Sequence, residues 1–398
     1  MRTLLGILHR WLGLATALFL FVAGATGAVI SWDHEIDAWL NPELYEARTQ
    51  NDAAPLPSLE LAARVEAADP RVQVTYLPLD VEPHHALQVS VEPRIDPATG
   101  QPYEPGYNQV ALDPITGEIQ GKRMWGDVSL ARENLLPFLY KLHYSLHIPE
   151  AGGVDIGSLF MGIVAIVWVL DGLIALWLSF PNLRSWRKSF AFRWKKGGHA
   201  RVFDLHRSGG VWIWLLLLIV SITAVSMNLR TQVVVPIVAT FSTLTPNPFD
   251  IRTPAPIDKP IEPVLTRAQA IDLARAESVR RGWTAPAGAV FYAPAYGVYG
   301  IGFFTAGNDH GDGGLGNPWL YFDGRSGEPA GDEVPGTGSA GDIFLQAQFP
   351  LHSGRILGIT GRVMMTLLGI AIAALSVTGI VIWLRKKRAR AFSQARRV

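Results

Sequence analysis

The chain has 398 residues, of which 49% are hydrophobic and only 17% are charged. Because charged residues make up about a quarter of an ordinary soluble domain, this composition indicates a membrane protein. The chain contains no cysteine, which excludes disulfides, zinc–thiolate sites, iron–sulfur clusters, thiol nucleophiles and covalently attached haem, and its formal net charge of +1 indicates no class of partner.

Four apolar runs are long enough to cross a bilayer, which takes about 20 residues of helix. We predict membrane-spanning helices at residues 11–32, 157–180, 209–229 and 357–384. The first run follows Arg2 and Arg10 and includes an Ala-Gly-Ala triplet at positions 23–25, which resembles the cleavage site of a signal peptide. Because the apolar run continues beyond this triplet to Trp32, we interpret it as an uncleaved anchor.

The distribution of basic residues predicts the orientation of the spans, since cytoplasmic loops are enriched in Lys and Arg. Basic residues cluster between the second and third runs and after the fourth: Arg184, Arg187, Lys188, Arg193, Lys195, Lys196, Arg201 and Arg207, then Arg385, Lys386, Lys387, Arg388, Arg390, Arg396 and Arg397. We therefore predict a multi-pass protein of a bacterial inner membrane with both termini in the cytoplasm. Residues 33–142 and 231–350 would then lie in the periplasm.

The second half of the chain repeats the first. A Leu-His-Arg motif opens the first and third runs at His9 and His206, and a Leu-His motif precedes the second and fourth runs at His143 and His352. Between them, the segment DPITGE at 113–118 matches DGRSGE at 323–328. Each half contributes two spans, so both repeats insert the same way up and are related by an axis along the membrane normal.

Each outer stretch has the pattern of a small α+β domain, in which a helix precedes several strands and a closing hairpin. We expect helices at 58–68 and 266–281, strands at 86–91 and 290–304, and hairpins at 113–117 and 323–327. Ser58 and Thr266 are the expected helix N-caps. A glycine at the end of each hairpin supplies the turn conformation.

The predicted fold is a membrane α-helical bundle of four transmembrane helices with internal duplication, together with two extracytoplasmic α+β domains. Its divisions are helix one at 1–33, outer domain one at 34–145, helix two at 146–182, a basic loop at 183–205, helix three at 206–230, outer domain two at 231–350, helix four at 351–385 and a basic tail at 386–398.

The repeated histidines point to a cofactor. His9 and His206 would lie at the inner ends of their spans, and His143 and His352 at the outer ends. Polar side chains at membrane depth are costly and are usually functional. Two imidazoles near each face are what two stacked bis-histidine haems require, so we predict two haem b groups. The alternative is four interfacial histidines accompanied by snorkelling arginines.

Several other residues lie close to these histidines in the sequence. Haem propionates need cationic partners, and the candidates are Arg10 and Arg207 at the inner side and Arg355 and Arg362 at the outer side. His147 follows His143 by four residues, so both would share one face of a continuing helix and either could be the axial ligand.

Asp171 lies inside the second run, where a carboxylate is a functional hypothesis by default. It would either handle protons, donate or accept a hydrogen bond near the inner haem, or belong to a structural polar network. The remaining histidines are interpreted as surface residues: His34, His84, His85, His199 and His310.

The repeated LHR and LH motifs, the D-x-x-x-G-E hairpins and the four-span layout resemble PepSY-associated transmembrane proteins over essentially the whole chain. Within that family the closest resemblance is to inner-membrane siderophore-iron reductases. The resemblance implies that the outer domains are PepSY-like, that b-type haem binds in the bundle at His9, His143, His206 and His352, and that ferric siderophore is reduced outside the membrane.

We therefore expect a di-haem oxidoreductase that passes electrons across the membrane to Fe(III) in ferric siderophores and releases Fe(II) for uptake. The donor would be quinol or a cytoplasmic reductase, and no nucleic acid partner is expected. Aromatic residues of the second outer domain would form either a docking face or core: Tyr292, Tyr296, Tyr299, Phe303, Phe304, Trp319 and Tyr321.

Two other functions are compatible with the sequence. One is a quinol-oxidising membrane cytochrome that serves another periplasmic acceptor. The other is a cofactor-free PepSY scaffold that senses an envelope signal or regulates a protease. No G-x-G-x-x-G fingerprint follows a predicted strand, so we expect no NAD or flavin domain.

Overall fold

The structure, a computed structural model, describes residues 1–395 and divides into two compact units. The membrane unit comprises Met1–Trp32, Leu139–Ile237 and the chain from Gln348 onward. The sheet unit comprises Asp33–Phe138 and Val238–Ala347. Two of the basic tail residues, Arg396 and Arg397, lie outside the described residues.

The helices and strands alternate along the chain in two similar series. The α-helices are α1 (Arg2–Ile30), α2 (Asp33–Leu40), α3 (Pro42–Tyr45), α4 (Ser58–Ala68), α5 (Leu135–Ser145), α6 (Ile156–Ser179), α7 (His199–Trp212), α8 (Trp214–Asn228), α9 (Val235–Ala239), α10 (Pro248–Ile251), α11 (Arg267–Arg280), α12 (Ala340–Gln346), α13 (Gln348–Ser353) and α14 (Gly358–Ala395). The strands are β1 (Val72–Pro78), β2 (Leu87–Pro93), β3 (Gln109–Leu112), β4 (Ile119–Arg123), β5 (Ala287–Ala293), β6 (Val298–Phe303), β7 (Trp319–Asp323) and β8 (Pro329–Glu333).

Three helices in the described part of the chain are long and apolar enough to span a membrane, and they contain the predicted runs one, two and four. The third run is bent: α7 and α8 meet at an angle of 70°, so this pair makes a fourth span only if both count as one. The apolar run predicted at 209–229 therefore contains a bend and is not one continuous helix. The break at Ile213 follows Ser208, Gly209 and Gly210, and sharp kinks commonly occur at Gly and Ser pairs.

Close helix packing in the membrane unit depends on small residues. The long helix α14 packs along α1 and α7, and α6 packs along α1 and α8. Where α1 crosses α14, a Cβ added to Gly24 would lie 2.7 Å from the carbonyl oxygen of Gly369. A side chain at either glycine would push the helices apart, as expected where small residues mediate packing between membrane helices.

The sheet unit is built on one antiparallel sheet of eight strands in the order β4-β3-β2-β1-β5-β6-β7-β8. The two central strands come from different halves of the chain, and their register pairs Tyr76 with Phe291 and Leu77 with Val290. One hydrophobic core includes residues of α4, α11 and both halves of the sheet. The outer stretches, predicted as two separate domains, thus share a sheet and a core. Pairing β1 with β5 covers two edges that would otherwise expose unpaired backbone groups.

Several local predictions for the sheet unit can be compared directly with the structure. The helix at 58–68 is confirmed, but Ser58 is its first helical residue and Pro57 occupies the N-cap. Thr266 caps α11 as predicted, in a capping box with Gln269. The predicted strands differ more: the one at 86–91 extends to Pro93, and the one at 290–304 is two strands that turn through Gly297, whose φ is +65°.

The two predicted hairpins are confirmed and have matching geometry. The Oδ1 atom of Asp113 accepts hydrogen bonds from the backbone N–H groups of Ile115 and Thr116, at 2.9 and 3.1 Å. Asp323 accepts equivalent bonds from the residues two and three positions later, at 3.0 and 2.9 Å. Gly117 and Gly327 both have φ of +75°, which a glycine adopts without strain.

Candidate functional site

The first predicted histidine pair meets inside the membrane unit. His9 on α1 and His206 on α7 have ring centroids 6.2 Å apart, with an interplanar angle of 41°. The residues are 197 positions apart in the chain by their numbering and come together because α7 and α1 both pack against the bundle formed with α6 and α14.

The second predicted pair has nearly the same spacing. His143 near the end of α5 and His352 on α13 have ring centroids 6.1 Å apart, with an interplanar angle of 66°. Nδ1 of His143 lies 3.1 Å from Oγ1 of Thr26 on α1, whereas His9 lies near the start of the same helix. At the rise of an α-helix, these positions are about 25 Å apart along α1, so the two pairs lie toward opposite ends of the bundle.

In the first pair, the Nδ1 atom of each histidine has its own hydrogen-bond partner. Nδ1 of His9 is 2.9 Å from Oδ1 of Asp171 on α6. Nδ1 of His206 is 3.1 Å from the carbonyl oxygen of Leu375 and 3.2 Å from Oγ1 of Thr378, both on α14. A carboxylate or a carbonyl oxygen can only accept, so these contacts favour the tautomer with the proton on Nδ1.

The second pair has the same kind of support. Nδ1 of His143 is 3.0 Å from the carbonyl oxygen of Ala23, in addition to the Thr26 hydroxyl. Nδ1 of His352 is 2.9 Å from Oγ1 of Thr223 on α8. Each of the four imidazoles therefore has a partner at Nδ1, which is the arrangement in which histidine binds a metal through Nε2 while an outer partner orients the ring.

Glycines make room for two of the imidazoles, and the sequence analysis did not single them out. A Cβ added to Gly27 would lie 3.0 Å from Cε1 of His143, and one added to Gly379 would lie 3.1 Å from Cε1 of His206. The available signal was a further repeat, in which Val377-Thr378-Gly379 near the end of the fourth run corresponds to Leu170-Asp171-Gly172 in the second. Both glycines allow a helix backbone to approach an imidazole more closely than any other residue would.

The spacing of both pairs fits a metal held between two imidazoles. With metal–nitrogen bonds of about 2 Å on each side, the ring centroids of two ligating histidines stand about 6 Å apart. The observed distances are 6.2 and 6.1 Å. Among the described residues, no group of three or more His, Cys, Asp or Glu side chains could hold a metal ion, so any metal here would need further ligands from a cofactor such as the haem macrocycle.

Two buried arginine nitrogen atoms are candidate hydrogen-bond donors to the same cofactor. The buried Nε atoms of Arg10 and Arg207 have no hydrogen-bond partner within the part of the chain that the structure describes. Burying a polar group without a partner is costly, and an anionic group such as a propionate would satisfy it. These are the two arginines predicted for the inner side.

The two arginines predicted for the outer side have other contacts. Nε of Arg362 donates to the carbonyl oxygen of Ser31 at 2.8 Å, and its guanidinium lies 4.4 Å from the ring centroid of Trp32. Arg355 begins a short 3₁₀ turn that precedes α14. A role for Arg355 and Arg362 toward propionates therefore stays a prediction.

His147 does not share a helical face with His143, so the expectation of a helix that continues through both residues is wrong. The helix ends at Ser145, and Leu146 and His147 both have φ of +55°. Consecutive residues in the left-handed region turn the chain out of the helix path, which non-glycine residues rarely do. Of these two histidines, it is His143 that faces His352.

Asp171 is buried in the middle of an apolar helix, with 8% of its surface exposed. Its contact with His9 agrees with the predicted hydrogen bond near the inner pair. A Cβ added to Gly13 would lie 3.6 Å from its Oδ2 atom, so the facing turn of α1 leaves space for the carboxylate.

The other five histidines have neighbours of their own. His34 packs edge-on against Tyr45, His85 contacts the carbonyl oxygen of Pro83 through Nδ1, and His310 contacts Asp309. His84 has φ of +66°, and His199 lies beside Phe203.

Most of the aromatic residues considered as a docking face belong to the core. Five of them are at least 94% buried: Tyr292, Tyr299, Phe303, Phe304 and Tyr321. The core interpretation is therefore confirmed for these five, and four of them lie on strands inside the sheet: Tyr292 on β5, Tyr299 and Phe303 on β6, and Tyr321 on β7. Tyr296 and Trp319 are partly exposed.

A buried polar cluster in the sheet unit is structural. Asp37 accepts hydrogen bonds from Arg123 at 2.6 Å, from Tyr45 at 2.7 Å and from Asn41 at 2.7 Å. Burial, followed by the nearby Asp37 carboxylate, raises the pKa of Tyr45 above its ordinary value. The charges in this cluster compensate one another.

Comparison with known proteins identifies one family. The family model described as the PepSY-associated TM region matches residues 7–386, which include both histidine pairs and both halves of the sheet. No curated protein matches the chain.

Proposed function

The chain belongs to the family of PepSY-associated transmembrane proteins, and on that premise we propose that it is a di-haem b reductase that delivers electrons to Fe(III) in ferric siderophores. The coarser statement, that it is an integral membrane protein, rests on this family match and on the long apolar helices of the membrane unit. The rest of the proposal is argued from the two histidine pairs.

The observation that carries the proposal is the matched geometry of the pairs. Both have ring centroids about 6 Å apart, as a metal between two imidazoles requires, and all four Nδ1 atoms have a partner. His9 and His206 would hold one haem, and His143 and His352 the other. When bound, haem supplies reversible one-electron transfer at a potential that its protein surroundings set.

The protein's own residues would bind and insulate the cofactors. The imidazoles would bind the two irons, and Arg10 and Arg207 would offer unsatisfied donors to the propionates of the inner group. The apolar helices α1, α6 and α14 would shield the cofactors from water. A hydrocarbon core of about 30 Å is too thick for one haem to bridge, which favours one site near each face.

The chemistry of the substrate explains why an electron would be delivered outside. Hard oxygen donors hold Fe(III) far more tightly than Fe(II). Each ferric ion takes up one electron, the chelate weakens, and Fe(II) is released for uptake. The donor would be a quinol or a reductase on the cytoplasmic side.

Membrane orientation is part of the proposal. The basic residues of the loop at 183–205 and of the tail favour both termini in the cytoplasm of a bacterial cell, with the sheet unit in the periplasm. Matching hairpins and the mirrored strand order support an internal duplication of two PepSY-like halves. A periplasm-active reporter fused to the C terminus should be silent, and activity of that fusion would overturn both the orientation and the siderophore assignment.

An absorption spectrum tests the proposal directly. The full chain, purified from haem-replete cells, should show a b-type reduced-minus-oxidised spectrum and two haems per chain by pyridine haemochrome analysis. The double variant His9→Ala/His352→Ala should lose both, whereas the control variant His34→Ala/His310→Ala should keep both.

Addition of a ferric siderophore completes the test. Pre-reduced protein, freed of reductant, should be reoxidised with one Fe(II) trapped for each electron lost. A colourless wild-type protein would leave the cofactor-free scaffold as the function. A di-haem protein that ferric siderophore cannot reoxidise would instead be a cytochrome that serves another acceptor.

A further inference from the structure

We infer that Asp171 makes the two histidine pairs unequal, lowering the reduction potential of the haem at His9 and His206 below that of the haem at His143 and His352. The inference rests on the proposed haem binding and goes beyond it, because it assigns a direction to the electron flow. Asp171 is a positioning and tuning residue in this role, since it touches a ligand and not the reacting atoms.

The carboxylate is the exceptional partner among those that contact the four imidazoles. In the described part of the chain, the other three Nδ1 atoms contact threonine hydroxyls and backbone carbonyl oxygens, at 2.9–3.2 Å. Only His9 has a carboxylate, at 2.9 Å. The corresponding position of the second repeat is Thr378, which contacts His206.

The burial of Asp171 indicates that this carboxylate has a role beyond orienting the imidazole of His9. It is the one charged residue in the 24 residues of α6, and 8% of its surface is exposed. A carboxylate at this depth is costly unless it has a partner, and its hydrogen bond is to His9. Threonine at the equivalent position of α14 orients His206 without that cost, so orientation of the ring alone does not require an acid.

The physical effect of the carboxylate on the iron site has a definite sign. A hydrogen bond to a carboxylate is roughly twice as strong as one to a neutral acceptor, and it makes the imidazole a more basic ligand. A more basic ligand stabilises the more positive, oxidised iron relative to the reduced iron. The negative charge of a nearby carboxylate acts in the same direction, and weak screening in the bundle strengthens it.

The difference in reduction potential between the two sites has the sign that electron transfer from the cytoplasmic to the periplasmic side requires. His9 lies near the start of α1 on the proposed cytoplasmic side, and the pair with the neutral partners lies about 25 Å farther along that helix. An electron therefore has a lower free energy at the outer pair than at the inner pair.

Potentiometric titration of the full haem-loaded protein, followed by its visible spectrum, tests the inference. The two components are assigned by their loss in His9→Ala and in His352→Ala. Asp171→Asn keeps the shape and an acceptor oxygen but removes the charge, and Asp171→Thr copies the environment of His206. Both should make the reduced-to-oxidised ratio of the inner component at least tenfold higher at a fixed potential, a shift of about 59 mV for one electron.

Matched variants control for loss of structure. Thr378→Val removes a neutral contact from the other ligand of the same haem, and should change the ratio of the inner component less than threefold. Thr26→Asp brings a carboxylate to His143 and should lower the potential of the outer component. All retained haems should stay low-spin, which shows that ligation is intact.

The outcomes separate this inference from the proposed function. Unchanged potentials in Asp171→Asn, or a shift of the outer component alone, would overturn the inference while leaving the di-haem proposal standing. A lower haem content with no shift in the haem that remains would show a structural role only and would also overturn it. A wild-type chain without haem would overturn both proposals.

Discussion

At the scale of single residues, the site depends on how each imidazole is oriented. Four side chains that are far apart in the sequence form two facing pairs, and their Nδ1 atoms contact Asp171, Thr378, Thr26 or Thr223 or a backbone carbonyl. Outer partners of this kind fix the tautomer and the orientation of an imidazole. The identity of the partner then distinguishes sites that are otherwise alike.

The choice between His143 and His147 gives a prediction at this scale. Because α5 ends at Ser145 and His143 already lies 6.1 Å from His352, His143→Ala should lose one of the two haems although His147 is present. The pyridine haemochrome value should fall from two to about one per chain, with one low-spin haem remaining.

His147→Ala is the matched control and should retain both haems, since its backbone has left the helix. If His143→Ala keeps two low-spin haems and only the double variant loses one, then His147 replaces His143 and the assignment is incorrect.

At the scale of helices, close approach is decided by glycine. Helix α14 passes His206 with Gly379 facing the imidazole, and it crosses α1 where Gly24 meets Gly369. The repeat has a glycine at the corresponding place on α6, Gly172, but apart from its own helix backbone no described residue lies within 4 Å of a Cβ added there. The two glycines are equivalent in sequence and different in surroundings.

This difference predicts opposite results for the same substitution. Gly379→Val places a Cβ 3.1 Å from Cε1 of His206 and adds two methyl groups, so it should displace the imidazole. We expect loss of about half of the haem, or conversion of one haem from low-spin to high-spin, as a bis-histidine site losing one ligand would show.

Gly172→Val should leave the spectrum and haem content of the protein unchanged, because the added atoms meet open space. Equal losses in both variants, measured on protein of equal purity and yield, would mean that valine acts through helix packing and not through the histidine.

At the scale of the whole molecule, the two halves are joined through one sheet. The link is the pairing of β1 with β5, with Tyr76 opposite Phe291. Across the same boundary, Arg267 on α11 donates to Glu66 at 2.6 Å and to the carbonyl oxygen of Val74 at 2.6 Å. The sheet unit is thus one folding unit built from two chain segments.

Engineered cysteines test this pairing. The chain contains no native cysteine, so only the introduced thiols can react. Directly opposed residues of antiparallel strands have Cα atoms about 4.5–5.5 Å apart, within the range that a disulfide spans. Tyr76→Cys/Phe291→Cys should therefore lose both free thiols on mild oxidation, with the protein remaining monomeric by denaturing electrophoresis.

Tyr76→Cys/Ala287→Cys is the control, because the second cysteine is displaced by about 13 Å along β5. Both thiols should remain free in this variant. Closure of the control pair at the same rate, or failure of the first pair to close, would contradict a shared sheet with this register.

The sequence determined those features that depend on neighbouring residues. Apolar length predicted the spans, Thr266 was predicted as a helix N-cap, and the Asp and Gly positions predicted both hairpins. Repetition of the histidine motifs also predicted which imidazoles meet, because equivalent positions in the two halves have the same depth. Each of these conclusions follows from a local rule or from an internal repeat.

Tertiary structure alone decided the rest. The shared sheet and the contact of Thr378 with His206 depend on distant segments, and no local pattern predicted that the chain leaves its helix before His147. Local propensity carries no information about which strand edge will be covered or which side chain will fill the space beside an imidazole. Those outcomes follow from the need to pair buried polar groups once the chain has packed.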